Sequence, residues 1–364
     1  MLRTIVILSL LLSFVACSEG EWSNRPKPDG SLIHLPYHPQ AYPLKEPVGF
    51  VKMVIPADNP LTIAGVDLGR HLFYDPILSR DSTKACASCH LQARGFGDQL
   101  SVSEGIAGRQ GKRNALALTN IGYHYQGFFW DGRAASLEEQ ALIPVEDSVE
   151  LGNDWALVVQ KLQSHPTYPA KFRKAFGLER VAEIDSTWVV KAIAQFERSL
   201  ISSNTKFDDF LAGKASLSAA EERGRLIFFD ESETLPTGEC SHCHIPPLFT
   251  SLEFFNNGLD NTDGDLNDLG RAAISQNPFD RGKFKTPTLR NIALTAPYMH
   301  DARFSTLEEV IDQYNKGGHY SRNESPNIRP LNLTAEHRAD LIAFLNTLTD
   351  SIYLHHPGFG NPFQ

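Results

Sequence analysis

The sequence has little that would bind nucleic acid or cross a membrane. Among its 364 residues, 34 Lys and Arg are outnumbered by 43 Asp and Glu, the net charge is −9, and the basic residues form no cluster. A partner with a phosphate backbone is therefore not expected. After the N-terminal segment, no apolar run is long enough to span a bilayer. Alternating strand patterns are also scarce, which favours a helical fold.

The N-terminus resembles a bacterial lipoprotein signal. Arg3 supplies positive charge, Thr4 to Phe14 form a short apolar run, and small residues lead into Cys17. We expect residues 1–17 to be a signal and Cys17 to carry lipid at a periplasm-facing membrane; the alternative is plain secretion with a free cysteine. Residues 18–48 are rich in Pro, Gly, Ser and His and are predicted to form a tether.

The remaining four cysteines form two CxxCH motifs, CASCH at 86–90 and CSHCH at 240–244. A CxxC pair can be a redox dithiol, half of a zinc site or a haem attachment point. A redox dithiol needs no following histidine, and a histidine next to the second cysteine is awkward for tetrahedral zinc. In a c-type haem site, both thiols bond to the vinyl groups and the next residue becomes the axial ligand.

Two such motifs in an exported chain predict two covalently bound c-type haems. His242, between the two cysteines of the second motif, is not expected to replace the motif's last histidine at the iron. The predicted haem-binding residues are Cys86, Cys89, His90, Cys240, Cys243 and His244.

An internal repeat links the two halves. GRHLFYD at 69–75 and GRLIFFD at 224–230 each precede a haem motif, and WDGRAASLEEQALIP at 130–144 aligns with HDARFSTLEEVIDQY at 300–314. Ser136 and the equivalent Thr306 are predicted N-caps of a helix downstream of each motif. A chance similarity would not be expected to recur in two separate segments.

These patterns predict an all-α fold with two cytochrome c-like haem domains related by the repeat. The predicted domains are 49–205 and 206–352, followed by a tail at 353–364, and the break lies near 202–216. Residues 256–270 are predicted to form a loop over the second haem. Apolar periodicity predicts further helices at 154–163, 170–176, 186–201, 218–229, 307–315 and 334–348.

The repeat also predicts what each iron can bind on its far side. Tyr314 aligns with Pro144, and proline offers no side-chain ligand. The second iron can therefore be closed by a sixth ligand while the first stays open for a small oxidant. Met299 and His300 are the other candidate ligands in this stretch, but both lie ahead of the capped helix.

These segments resemble the bacterial dihaem cytochrome c peroxidase and MauG family. The similarity runs through most of residues 60–350, and its segments are LGRHLFYDPILS, CASCH, FFWDGRAASLEEQA, CSHCH, FKTPTLRNIALTAPYMHD and ADLIAFLNTLTD. It implies an enzyme that uses hydrogen peroxide as oxidant. Its protein partner would be a small redox donor, a cytochrome c or a cupredoxin, or an oxidisable protein substrate.

The resemblance also implies roles for individual residues. Trp130 matches the tryptophan between the haems that relays electrons or holes. Gln140, Pro144 and Glu150 match the distal peroxide pocket, with Glu150 as the acid–base residue. A calcium site between the domains is implied by the side chain of one residue and the backbone carbonyls of two others, Asn114, Thr295 and Pro297.

The sequence departs from many of these peroxidases at two positions. Ile106 or Ala107 stands where a loop histidine often caps the first haem, so we expect that haem to be open without reductive activation; His124 is the nearest alternative. Tyr314 stands where the usual peroxidases have Met, as in MauG-like enzymes. A phenolate ligand lowers the iron potential.

Three functions are therefore weighed. The first is peroxide reduction at the open N-terminal haem, with electrons or holes passing by Trp130 to a His/Tyr-ligated second haem. The second is MauG-like long-range oxidation of a protein partner through a bis-Fe(IV) state. The third is a non-enzymatic dihaem electron carrier, against which Pro144 and Glu150 argue.

Overall fold

The computed structural model describes residues 25–264 and 266–364, so the predicted signal and Cys17 lie outside the described residues. The described fold is rich in helix and has little sheet. No helix in this part of the chain is long and apolar enough to cross a membrane. The α-helices are α1 (Ile63–Tyr74), α2 (Leu137–Glu146), α3 (Trp155–Ser164), α4 (Tyr168–Phe176), α5 (Ser186–Ser199), α6 (Lys206–Leu211), α7 (Ala219–Phe229), α8 (Ala272–Ser275), α9 (Leu307–Lys316), α10 (Ala335–Asn346) and α11 (Ser351–Leu354).

Short 3-10 turns and one small sheet join these helices. Strands β1 (Phe254–Phe255) and β2 (Phe284–Lys285) pair antiparallel. The first CxxCH motif begins in one of the 3-10 turns. These turns are Pro76–Leu78, Cys86–Ser88, Gln92–Arg94, Ile106–Gly108, Ile121–Tyr123, Val181–Glu183, Pro278–Asp280 and Ile292–Leu294.

The six helices predicted from periodicity are confirmed as α3, α4, α5, α7, α9 and α10, with ends within two residues of those expected. The predicted caps are confirmed as well. Ser136 Oγ accepts a hydrogen bond from the backbone N–H of Glu139 at 3.1 Å, and Thr306 Oγ1 accepts one from Glu309 at 3.2 Å. The predicted break at 202–216 contains the short helix α6.

Two glycines allow close helix crossings at equivalent places. A Cβ on Gly69 of α1 would lie 1.9 Å from the carbonyl oxygen of Ala192 of α5. A Cβ on Gly224 of α7 would lie 1.9 Å from the carbonyl oxygen of Asp340 of α10. Both glycines come from the repeated GR segments, so each haem motif follows a helix that is packed in the same way.

The described part of the predicted tether, residues 25–48, lies along the folded body rather than extending from it. Leu32 and Leu35 are buried beside Ala170. Tyr42 N–H donates to the carbonyl of Leu61 at 3.0 Å. Apolar side chains at a few positions within a Pro- and Gly-rich segment are enough to anchor it.

The C-terminal tail returns to the first half of the chain. Tyr353 and Phe359 join the apolar cluster that contains Phe73 and Phe96. Tyr74 Oη donates to the carbonyl of Phe359 at 2.8 Å. The helix before the tail, α10, packs instead on α7 of the second half, so the last two elements hold both halves together.

Candidate haem sites and the residues between them

The second CxxCH motif opens onto a deep cavity with about 1380 Å³ of free space, including the part open to solvent. Cys240, Cys243 and His244 line it together with Met299 and Tyr314. The cavity therefore has the attachment thiols, a proximal imidazole and candidate distal ligands that a c-type haem needs.

Both motif histidines are held in the orientation that suits an axial ligand. His90 Nδ1 donates to the carbonyl of Phe96 at 2.8 Å, and His244 Nδ1 donates to that of Phe249 at 3.1 Å. Burial lowers the pKa of His90, and it lowers that of His244 to about 4. A neutral ring that donates through Nδ1 keeps Nε2 unprotonated, as iron binding requires.

The cysteines do not have the properties of a redox dithiol or a zinc site. Burial raises the pKa of Cys240 to about 12 and that of Cys243 to about 11, and it also raises the pKa of the first pair. Reactive dithiols have a lowered pKa instead. Across residues 25–264 and 266–364, no motif cysteine belongs to a cluster of three metal-binding side chains.

The contacts of the three candidate ligands of the second iron distinguish His300 from the other two. Tyr314 Oη accepts a hydrogen bond from Asn257 Nδ2 at 3.1 Å, and Met299 Sδ lies 3.7 Å from the same nitrogen. His300 is stacked on Phe284, with ring centroids 3.6 Å apart. Its ring is thus held by packing, while the tyrosine and the methionine share one amide in the cavity.

Glu150 lies close to the first attachment pair. Burial is the main cause of the raised pKa of Cys86 and Cys89, and the charge of Glu150 adds to it at both thiols. Burial also raises the pKa of Glu150 itself; Asp147 adds to this and Arg133 opposes it. A partly buried carboxyl with a raised pKa can hold a proton and release it during a reaction.

The other predicted pocket residues lie on α2. Gln140 and Pro144 are one helical turn apart and both are partly buried. The carbonyl of Pro144 accepts a hydrogen bond from the N–H of Leu151 at 3.1 Å. This bond folds the chain after α2 back toward the helix. Glu150 lies in the turn that the bond closes.

The loop that lacks a capping histidine packs beside this turn. The N–H of Ile106 donates to the carbonyl of Glu150 at 2.9 Å. Ile106 is buried, and a Cβ on Gly152 would lie 2.3 Å from its Cδ1. The alternative residue, His124, stacks on Phe128, and burial lowers its pKa to about 3.

Trp130 connects the first half to the second cavity. Its ring lines that cavity and meets His300 edge-on, with centroids 6.4 Å apart. Its Nε1–H donates to the carbonyl of Asn114 at 2.8 Å, and its own carbonyl accepts from the N–H of Lys285 at 2.8 Å. One bond therefore holds the indole and the other holds the backbone of the same residue.

One residue of the predicted calcium site, Asn114, is hydrogen-bonded to the second half of the chain. The N–H of Asn114 donates to the carbonyl of His300 at 2.8 Å, and its Nδ2 donates to the carbonyl of Leu100 at 3.0 Å. These bonds leave Oδ1 as the available oxygen of the amide. Thr295 and Pro297 lie a few residues before His300 in the chain.

Three residues of this region were not predicted from the sequence. Asn257 lies within the predicted loop, where an amide carries no ligand signature. Lys285 is buried, and burial lowers its pKa to about 8. Arg113 forms a fork with Asp268 at 2.7 Å and also binds Asp131 at 2.6 Å. Only the FKTPTLRN similarity could have drawn attention to Lys285.

Known proteins are similar to this chain in sequence and in fold. A family model described as di-haem cytochrome c peroxidase matches residues 63–216. Cytochrome-c peroxidase IdrP1 of Denitromonas iodatirespirans is 35% identical over 325 residues, covering 81% of this chain and 84% of that protein. The chain belongs to the di-haem cytochrome c peroxidase and MauG family.

Other relatives of this peroxidase family agree. Methylamine utilization protein MauG of Methylorubrum extorquens is 36% identical over 296 residues, covering 80% of each chain. The crystal structure of a MauG-like protein associated with microbial copper homeostasis has a TM-score of 0.82 at 35% identity, covering 89% of this chain and 100% of that one.

Membership confirms the predicted class of activity. The protein is a dihaem c-type oxidoreductase that uses hydrogen peroxide as oxidant. Two c-type haems are implied by the family, and its members are typically periplasmic. The non-enzymatic carrier is therefore set aside.

Proposed function

We propose that peroxide is reduced in the first half of the chain while the second half serves electron transfer. When bound, the first haem would supply an iron with an open position and the second an iron closed by a sixth ligand. The asymmetry that carries this proposal lies in the aligned pair Pro144 and Tyr314. Tyr314 lies in the second cavity with an oxygen to offer, and Pro144 has none.

Residues of the first half would then move the proton between the two oxygens of the peroxide. Glu150, with its pKa raised by burial, would take a proton from one peroxide oxygen and return it to the other, which assists cleavage of the bond. Gln140 would orient the peroxide by hydrogen bonding. Ile106 and Ala107 supply no imidazole, so this half would be active without prior reduction.

Trp130 would provide the route between the two halves. Its indole lies in the second cavity while its Nε1–H is bonded to Asn114 of the first half. His90 and His244 would be the proximal ligands, and Tyr314 would be the distal ligand of the second iron. A calcium ion held by Asn114 and the carbonyls of Thr295 and Pro297 would stabilise the join that Trp130 crosses.

We also propose the predicted organisation into two repeated haem domains, 49–205 and 206–352. One apolar cluster has all its buried members between residues 207 and 348. The backbone bridges between Phe128 and Ala134 and between Tyr298 and Phe304 lie at the start of the two aligned segments, at equivalent positions. For the segment before residue 25, we propose lipid attachment at Cys17; a tagged fatty acid that fails to label the chain would refute this.

A second function is favoured by Tyr314. Its position in the cavity, together with the similarity to MauG proteins, supports oxidation of a protein partner rather than only acceptance of electrons from a cytochrome c or a cupredoxin. A structural relative is associated with copper homeostasis, which makes copper-handling proteins a reasonable class in which to search for that partner.

The decisive test of the first function is Glu150→Gln. We expect peroxide consumption to fall by about 10²–10⁴-fold while haem content and the visible spectrum of the second haem are retained. Gln keeps the size of the side chain and removes the acid. The matched control is Glu146→Gln at the exposed end of α2, which should leave turnover unchanged. Unchanged turnover in Glu150→Gln would remove this residue from the mechanism.

A further inference from the structure

Three side chains that can bind metals converge beside the second haem motif, and one of them, Glu239, also lines the haem cavity. They are Asp230 at the end of α7, Glu239 just before Cys240, and His242 inside the motif. His242 Nδ1 lies 3.3 Å from Glu239 Oε2 and 3.7 Å from Asp230 Oδ2. All three ligand atoms lie within 4.8 Å of one another.

Each carboxylate is anchored through one oxygen, and its other oxygen faces His242. Asp230 Oδ1 accepts hydrogen bonds from the N–H groups of Gly238 at 2.7 Å and Glu239 at 3.2 Å. Glu239 Oε1 accepts from Arg329 and from Thr237 Oγ1. Hydrogen bonds of this kind orient metal-binding carboxylates in known sites.

The free oxygen of Asp230 is the second observation that points to a ligand. Oδ2 is buried and has no hydrogen-bond partner among the described residues. A buried carboxylate oxygen without a partner is costly, and His242 at 3.7 Å is too far to donate a hydrogen bond to it. A cation between the three atoms would satisfy it.

The spacing fits a small divalent transition-metal ion. Bonds of about 2.0–2.2 Å at the tetrahedral angle put ligand atoms roughly 3.3–3.6 Å apart, close to the 3.3 and 3.7 Å between His242 Nδ1 and the two carboxylate oxygens. One imidazole nitrogen and two carboxylates suit Zn²⁺ and Cu²⁺, whereas Ca²⁺ and Mg²⁺ prefer oxygen ligands alone. Two carboxylates and the Arg329 guanidinium leave one net negative charge, which also favours a cation.

We propose that Asp230, Glu239 and His242 form a binding site for a divalent transition-metal ion of the Zn²⁺ and Cu²⁺ class, in addition to the haem irons. His242 is partly exposed, with 48% of its side chain accessible, so the ion can enter from solvent. The fourth position would be open to water, as in three-ligand zinc sites. This site does not depend on the proposed peroxide chemistry.

Binding is tested on the purified dihaem protein after treatment with a chelator. Zn²⁺ and Cu²⁺ are titrated in separate calorimetric experiments, and bound metal is counted by elemental analysis. We expect one site per chain, and we expect Asp230→Asn and His242→Ala each to weaken binding by about tenfold or more. Asp230→Asn keeps the oxygen that binds Gly238 and Glu239, so the turn is preserved.

The matched control is His355→Ala, which removes an exposed histidine elsewhere and should leave binding unchanged. Haem spectra identical to the parent protein verify the fold of each variant. If the parent binds neither ion, or if Asp230→Asn and His242→Ala bind as tightly as the parent, the proposal is overturned and the cluster is only an ion pair.

Discussion

Asn257 Nδ2 donates a hydrogen bond to Tyr314 Oη at 3.1 Å, inside the cavity of the second haem motif. Burial raises the pKa of Tyr314 to about 12, and this hydrogen bond opposes the shift. A donor at the phenol oxygen favours the phenolate that iron would bind. Asn257 thereby supports Tyr314 Oη as an oxygen ligand of the second iron.

Tyr314→Phe should therefore open the second iron. Phenylalanine fills the same space but offers no oxygen, so we expect the low-spin signal of this iron to become high-spin in electron paramagnetic resonance of the oxidised protein. The first haem should keep its spectrum because it lies in the other half of the chain.

Met299→Leu is the matched control for Tyr314→Phe, since it removes the thioether and keeps the volume. We expect it to leave the low-spin signal in place. If Met299→Leu opens the iron and Tyr314→Phe does not, the ligand is Met299 and the assignment of Tyr314 is wrong.

Trp130→Phe should slow the transfer of electrons or holes between the two haems, and both haems should stay bound. Phenylalanine keeps part of the ring surface but loses the hydrogen bond from Nε1 to the carbonyl of Asn114 and is harder to oxidise than an indole. We expect stopped-flow mixing with peroxide to show a slower spectral response of the second haem.

Trp155→Phe serves as the control for this exchange. Trp155 Nε1 donates to the carbonyl of Leu142 at 3.3 Å, within the first half. The substitution therefore removes an indole that lies away from the second cavity. Equal rates in Trp130→Phe and the parent protein would exclude Trp130 as the route.

Glu197 predicts how stability changes with pH. It is 4% exposed, its Oε2 has no hydrogen-bond partner among the described residues, and burial raises its pKa from 4.5 to about 8. The folded state thus holds a proton that the unfolded state releases above pH 4.5. Stability should fall as pH rises from about 4.5 to about 8, by up to about 1.4 kcal/mol per pH unit from this group.

Glu197→Gln should flatten that dependence because Gln has no proton to lose. In thermal denaturation at several pH values, the melting temperature of the variant should rise relative to that of the parent as pH rises toward 8. Glu336→Gln, at an exposed position of α10, is the control and should follow the parent. A variant whose melting temperature keeps the parent's slope would contradict the raised pKa of Glu197.

The sequence predicts structure best where a feature depends on residues close together in the chain. Apolar spacing predicted α5 and α10, and the residues Ser136 and Thr306 predicted the caps, because these depend on neighbours along the chain. Asn257 and Lys285 could not be found in this way, since their importance comes from contacts with distant residues. The Pro- and Gly-rich composition of 25–48 likewise concealed that Leu32 and Leu35 are buried.

Two of the repeat's glycines lead to a final prediction about stability. A Cβ on Gly224 would lie 1.9 Å from the carbonyl oxygen of Asp340 and 2.9 Å from Cβ of Phe344. Neither the backbone carbonyl nor a Cβ atom can move away without moving the helix. Gly224→Ala should force α7 and α10 apart and destabilise the second half by about 1–3 kcal/mol. Gly69→Ala should do the same to α1 and α5.

The comparison is with Gly111→Ala, where the nearest atom to an added Cβ would be 3.7 Å away. Urea denaturation followed by haem absorbance measures each variant against the parent, with the second haem reporting on Gly224→Ala and the first on Gly69→Ala. Because each glycine touches a helix of its own half, each substitution should lower the midpoint of one haem transition more than the other. Equal midpoints in Gly224→Ala and Gly111→Ala would mean that α7 and α10 can separate without cost, and the tight crossing would then not be what holds the second haem motif in place.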